Sequence, residues 1–111
     1  MKIKTIDIEA YSYLDKVNGN SYFNATLTIN YGLPNFIRIH IPMQYGHDYT
    51  AVARNVLNEL KYIKTDEPLW YYCRDKKIIL RANMIEGFKY RELTNKDKQE
   101  AKRSQELQHT S

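Results

Sequence analysis

One cysteine, Cys73, among 111 residues excludes an internal disulfide and agrees with a reducing compartment. Glycine is just as sparse. The four, at 19, 32, 46 and 87, stand too far apart to form a phosphate-cradling or dinucleotide-binding loop, so no nucleotide cofactor is expected. Histidines at 40, 47 and 109 show none of the close pairings that zinc sites use with cysteine, so no metal is expected. No apolar run approaches the ~18 residues that cross a bilayer. Asp7 and Glu9 interrupt any apolar leader in the opening segment. The expectation is a soluble, intracellular protein, without a membrane partner.

The chain has the usual length of one domain, and its 42% of hydrophobic residues can form one core of modest size. Charge is unevenly spread. Residues 1–73 carry seven basic and seven acidic side chains, whereas residues 74–111 carry ten and six, so the whole excess of +4 lies in the last third. Such a region attracts nucleic acid or an acidic protein surface, or simply keeps the chain soluble. Ten tyrosines against three phenylalanines favour rings whose hydroxyls reach water or a partner.

Residues 21–31 carry the clearest pattern. Phe23, Ala25, Leu27, Ile29 and Tyr31 alternate with Tyr22, Asn24, Thr26, Thr28 and Asn30, the signature of a strand with one dry and one wet face. Residues 2–14 alternate likewise, with Ile6, Ile8 and Ala10 opposed to Tyr11 and Tyr13, and Asn18-Gly19 between the two runs predicts a hairpin. A third strand runs from Phe36 to Ile41, isoleucines inward and Arg38 and His40 outward, and is expected to end at Pro42. Tyr49, Val52, Ala53, Val56, Leu57 and Leu60 follow a period near 3.6, which predicts a helix capped by Asp48 and laid across the dry face. Residues 66–74 read as a short second helix whose Trp70, with one tyrosine, closes an end of the core. Residues 76–83 form a fourth strand, either beside the first or at the edge. Leu93, Ala101 and Leu107 give the segment 93–111 little to bury, so it is expected as a polar tail, a frayed helix or disordered.

Two groups of residues are candidates for binding. Tyr11, Tyr13, Tyr22, Arg38 and His40 share the outward sheet face and together can present flat rings and a guanidinium to stacked bases or to a protein. The plainer reading is cross-strand pairs on a solvated face. Arg74, Lys76, Lys77 and Arg81 can hold phosphates, or equally protect an edge strand from pairing. No zinc-finger, RNA-recognition or helix-turn-helix pattern accompanies them. Catalysis needs converging groups, and His47-Asp48 reads as a loop and a cap, while Cys73 in an aromatic helix reads as a small core residue. No enzyme is expected.

The segment Asp15 to Phe23, preceded by Ile8-Glu9-Ala10-Tyr11-Ser12 and followed by the Gln44-Tyr45-Gly46 loop, resembles small bacteriophage-encoded proteins that carry no assigned active site. The likeness covers the first half of the chain. It implies a protein of the cytoplasm of a bacterial host that docks on host machinery, defence complexes such as CRISPR effectors included. The resulting expectation is an α+β domain over residues 1–92: a three- or four-stranded, mainly antiparallel sheet with a main helix on one face, in the order βββααβ(α). Its expected function is non-enzymatic, the occlusion of a host protein or nucleoprotein complex by a monomer or homodimer. Direct nucleic-acid binding is the alternative, and an enzyme with an unrecognised site at His40 or His47 a third.

Overall fold

Alternation in the first thirty residues produces the centre of the sheet. In the computed structural model, which describes residues 2–109, strand β1 (Thr5–Asp15) pairs antiparallel with β2 (Asn20–Ile29). The intervening turn is fixed by Asp15. Its carboxylate accepts hydrogen bonds from the backbone N–H of Val17 and of Asn18 and from the Asn18 amide, which lowers its pKa. Gly19, at φ 71°, closes the turn by donating to the Asp15 carbonyl.

β3 (Ile37–Tyr45) pairs antiparallel with β2, and β4 (Ile79–Phe88) pairs with β1 in parallel, giving the order β3-β2-β1-β4. The sheet is therefore mixed, with two antiparallel pairs and one parallel pair, which fits the expected mainly antiparallel sheet only in part. Two helices, α1 (Tyr49–Glu59) and α2 (Leu69–Asp75), separate β3 from β4. They carry the chain across one face of the sheet, so β4 re-enters on the far side of β1 in a crossover that makes the pair parallel. The fourth strand thus both pairs with the first and forms an edge.

The dry face matches its pattern. Ile6, Ile8, Ala10, Phe23, Ala25, Leu27, Ile29 and Ile41 are buried against Ala53 and Leu57 of α1 and Leu69 and Cys73 of α2. Asp48 caps α1 through a bond from the Ala51 N–H.

Four expectations need correction. Tyr31 lies outside β2 and is exposed, while Asn24 and Asn30, assigned to the wet face, are fully buried. Asn30 turns into the left-handed region at φ 58°, and its side chain accepts from the Lys4 and Thr5 N–H groups and donates to the Lys2 carbonyl. β3 does not end at Pro42. A register shift between Phe23/Gln44 and Ala25/Ile41 leaves Pro42 and Met43 opposite Asn24 alone, a bulge on an edge strand, where a missing N–H costs no ladder bond. Trp70 is 58% exposed and closes nothing. Its ring meets Tyr71 edge-on at 5.6 Å, and the Arg74 guanidinium lies 4.7 Å from the Tyr71 ring and 5.6 Å from that of Trp70. Finally, of the three states expected for residues 93–111, polar tail, frayed helix or disordered, the described part is helical: it belongs to α3 (Tyr90–His109), so the boundary at 92/93 falls inside a helix. Leu93 is fully buried outside the main core, and polar contacts to the sheet supply what the apolar content of α3 does not.

No helix among the described residues is long and apolar enough to cross a membrane.

Candidate functional site

Register decides which side chains share the outward face. Tyr13 opposes Tyr22 and Tyr22 opposes Tyr45; Tyr11 opposes Asn24; His40 and Arg38 oppose Thr26 and Thr28; Asp7 opposes Arg81. Five predicted residues, Tyr11, Tyr13, Tyr22, Arg38 and His40, therefore do lie on one face. That face is only partly open, because α3 crosses it.

Asp97 anchors the helix. Its Oδ1 accepts from Asn24 Nδ2 at 2.9 Å and lies 2.6 Å from His40 Nε2, and its Oδ2 accepts the Met43 N–H at 3.0 Å. The bulge at Pro42 explains the last contact: it takes the Met43 amide out of the ladder and aims it at the helix. Asn24 also donates to the Leu93 carbonyl, one turn earlier in α3. One turn later Glu100 pairs with Arg38 at 2.5 Å, and this guanidinium holds the carboxyl below its usual range against the opposing effect of burial. Two of the predicted ligand-binding groups, His40 and Arg38, thus hold the protein's own helix.

Tyr11 is likewise engaged. Its hydroxyl donates to the Glu9 carboxylate, its ring meets Phe88 edge-on at 5.1 Å, and Lys96 Nζ stands 3.9 Å from the ring centroid. Burial, then the Glu9 carboxylate, push the phenol up to about 12.

What α3 leaves open is the rim where it begins. Tyr45, Tyr22, Tyr13 and Tyr90 form a continuous row, with centroids 5.7, 6.1 and 5.9 Å apart. The inner rings are half-buried and the outer two, Tyr45 and Tyr90, are 70% and 53% exposed. Half-buried neighbours fix the inner rings, so the row presents aromatic area with little rotamer freedom left to lose. A groove of about 640 Å³ beside it is lined by Tyr13, Leu14, Lys16, Glu86 and Lys89, among others.

The basic residues do not share one face. Arg81 is on the outward face, where its guanidinium donates to both Asp7 oxygens at 2.6 and 3.1 Å. Arg74 is on α2, over the opposite face of the sheet, against Trp70 and Tyr71. Lys76 and Lys77 occupy the turn from α2 to β4. The single phosphate-holding patch expected from these four is therefore absent, because the sheet separates Arg74 from Arg81.

Tyr45, Tyr90, Asn24 and Asp97 were not singled out by sequence reasoning. A signal existed for the last: Leu93, Asp97 and Glu100 recur at helical spacing and form one face. Tyr45 lay past a proline read as a strand end.

Cys73 is buried, which pushes its thiol up to about 11. A disulfide reagent near pH 8 is expected to label the folded protein roughly 100-fold more slowly than the denatured chain, since only opening of α2 exposes the sulfur. Equal rates would show that α2 is not docked.

These features define a small α+β domain with a four-stranded mixed sheet, a two-helix layer on one face and one polar-anchored helix on the other. Set against known protein families, characterised proteins and solved structures, the chain matches none.

Proposed function

We propose that the chain is a non-enzymatic interaction protein of the phage type, which binds and occludes a host protein or nucleoprotein complex through the tyrosine row at the sheet rim. The observation that carries this reading is the continuity of Tyr45, Tyr22, Tyr13 and Tyr90, two of them anchored and two exposed. Tyrosine gives large contact area at low entropic cost and a hydroxyl for a polar partner. Lys16 and Lys89 stand at the same rim, and with the net charge of +4 they steer the encounter toward an acidic surface. Arg38, His40 and Arg81 act indirectly, by holding α3 and the strands beneath the row.

The test is retention from host lysate on the immobilised protein, with and without nuclease, for the wild type and for the double variant Tyr45→Ala/Tyr90→Ala. Both rings are exposed, so the fold is expected to survive their removal. A bound protein that resists nuclease and is lost, by roughly 100-fold in affinity, from the double variant is the expected result. Equal retention by wild type and variant would remove the row from the binding surface.

The same rings favour a second reading, direct binding of single-stranded nucleic acid, because phenol faces stack on bases without regard to sequence. A labelled oligonucleotide whose affinity falls steeply with salt and drops when Lys16 and Lys89 become alanine would select it.

A further inference from the structure

The two edges of the sheet are treated differently, and the difference points to a second copy of the chain. At β3 the edge is blunted: Pro42 has no N–H, the bulge breaks the ladder, and the Met43 N–H is taken by Asp97. At β4 nothing comparable occurs over Ile79–Ile85. This stretch contains no proline, its pairing with β1 is regular, and the bulge comes only afterwards, at Glu86-Gly87. Its one charge, Arg81, is neutralised by Asp7. Ile79 and Ile85 are 59% and 40% exposed, and Ala82 and Asn83 are exposed as well. Leu80 and Met84 pack their side chains against the core, on the dry face, whereas Ala82 between them is exposed.

The hydrogen-bond directions are fixed. Ile79 N–H donates to the Lys4 carbonyl, so by the alternation of a parallel ladder Ile79, Arg81 and Asn83 turn their amides toward β1. Leu80, Ala82 and Met84 then turn both N–H and C=O away from the sheet. Three such residues in succession form an antiparallel template that a copy of itself can satisfy.

We propose that β4 pairs antiparallel with β4 of a second copy about a two-fold axis at Ala82, joining two four-stranded sheets into one of eight. This register sets the residues whose backbone groups point away from β1 opposite one another, Leu80 against Met84 and Ala82 against Ala82, with their side chains on the dry face. On the outward face it sets Ile79 of one copy against Ile85 of the other, and Arg81 against Asn83. The two exposed isoleucines cover each other, and no like charges meet, which is what an isologous interface requires. The commitment to a second copy rests on this self-complementarity. The tyrosine row, on β1, β2, β3 and the first residue of α3, lies beyond the bulge at Glu86-Gly87 and outside the stretch Ile79–Ile85 that the pairing covers.

The mass in solution from about 1 µM to about 1 mM tests the proposal, by sedimentation or light scattering on the wild type and on Ala82→Lys. The wild type is expected to pass from 13.2 kDa to twice that value. Ala82→Lys places two ammonium groups face to face across the axis and is expected to weaken the dimer by roughly 100-fold or more. Hydrogen exchange on the wild type gives a readout that no variant is needed for. Amides of Leu80, Ala82 and Met84 should slow as concentration rises, while those of Arg81 and Asn83, already bonded to β1, should not change. A wild type that stays at one chain throughout, a variant that dimerises as tightly as the wild type, or concentration-independent exchange at those three amides would each overturn the proposal.

Discussion

Asp97→Ala is expected to lower stability by about 2–4 kcal/mol, the largest loss of any single polar substitution outside the core. The carboxylate meets three donors, from Asn24, His40 and the Met43 backbone, and its removal leaves each facing a cavity. A buried donor without its acceptor costs about 1–3 kcal/mol. The Asp97 side chain keeps 26% of its surface exposed, so water rescues part of the loss and the sum falls well short of three full penalties. For a domain of this size the midpoint of thermal unfolding should fall by roughly 10–25 °C. Asp97→Asn should lose less, since its amide oxygen can still accept but its NH2 group turns a donor on a donor. Calorimetry checks both variants. A loss below about 0.5 kcal/mol for the alanine variant, the range of ordinary surface changes, would show that α3 does not rest on this anchor.

Leu93→Ala should cost about 2–4 kcal/mol, as for other fully buried leucines. Leu93 is the one wholly buried apolar side chain of α3 among the described residues, and its carbonyl receives Asn24. Chemical denaturation of this variant separates a docked helix from a tail that merely happens to be helical, for which the change would be close to zero. The two substitutions share Asn24 and lie one turn apart. Their combined effect should be smaller than the sum, because once either contact is lost the helix no longer holds the other in place.

Both faces of the central hairpin were legible because a period of two over ten residues leaves a strand little choice, and α1 was legible from its 3.6 period and its Asp48 cap. The outward grouping of Tyr11, Tyr13, Tyr22, Arg38 and His40 followed from the same parity. Their use did not. Asn24 has the polarity of a solvent-facing residue, and only the arrival of α3 from seventy positions away converts it into a buried bridge. The basic residues after position 73 looked like one patch because they are near in sequence. A crossover that carries α2 to one face and Arg81 to the other divides them.

The direction of β4 is of the same kind. Nothing in Ile79–Phe88 states whether it runs with or against β1; the two-helix crossover settles it, by returning the chain to the end of the sheet where β1 begins.

Local periodicity alone determined the strands, the first hairpin and the helix over the dry face, since each follows from side-chain spacing within some fifteen residues. Tertiary structure alone decided the mixed sheet, the covering of the outward face by α3 and the assembly of the tyrosine row. Those features depend on contacts between segments far apart in the chain, whose free energy no local window contains.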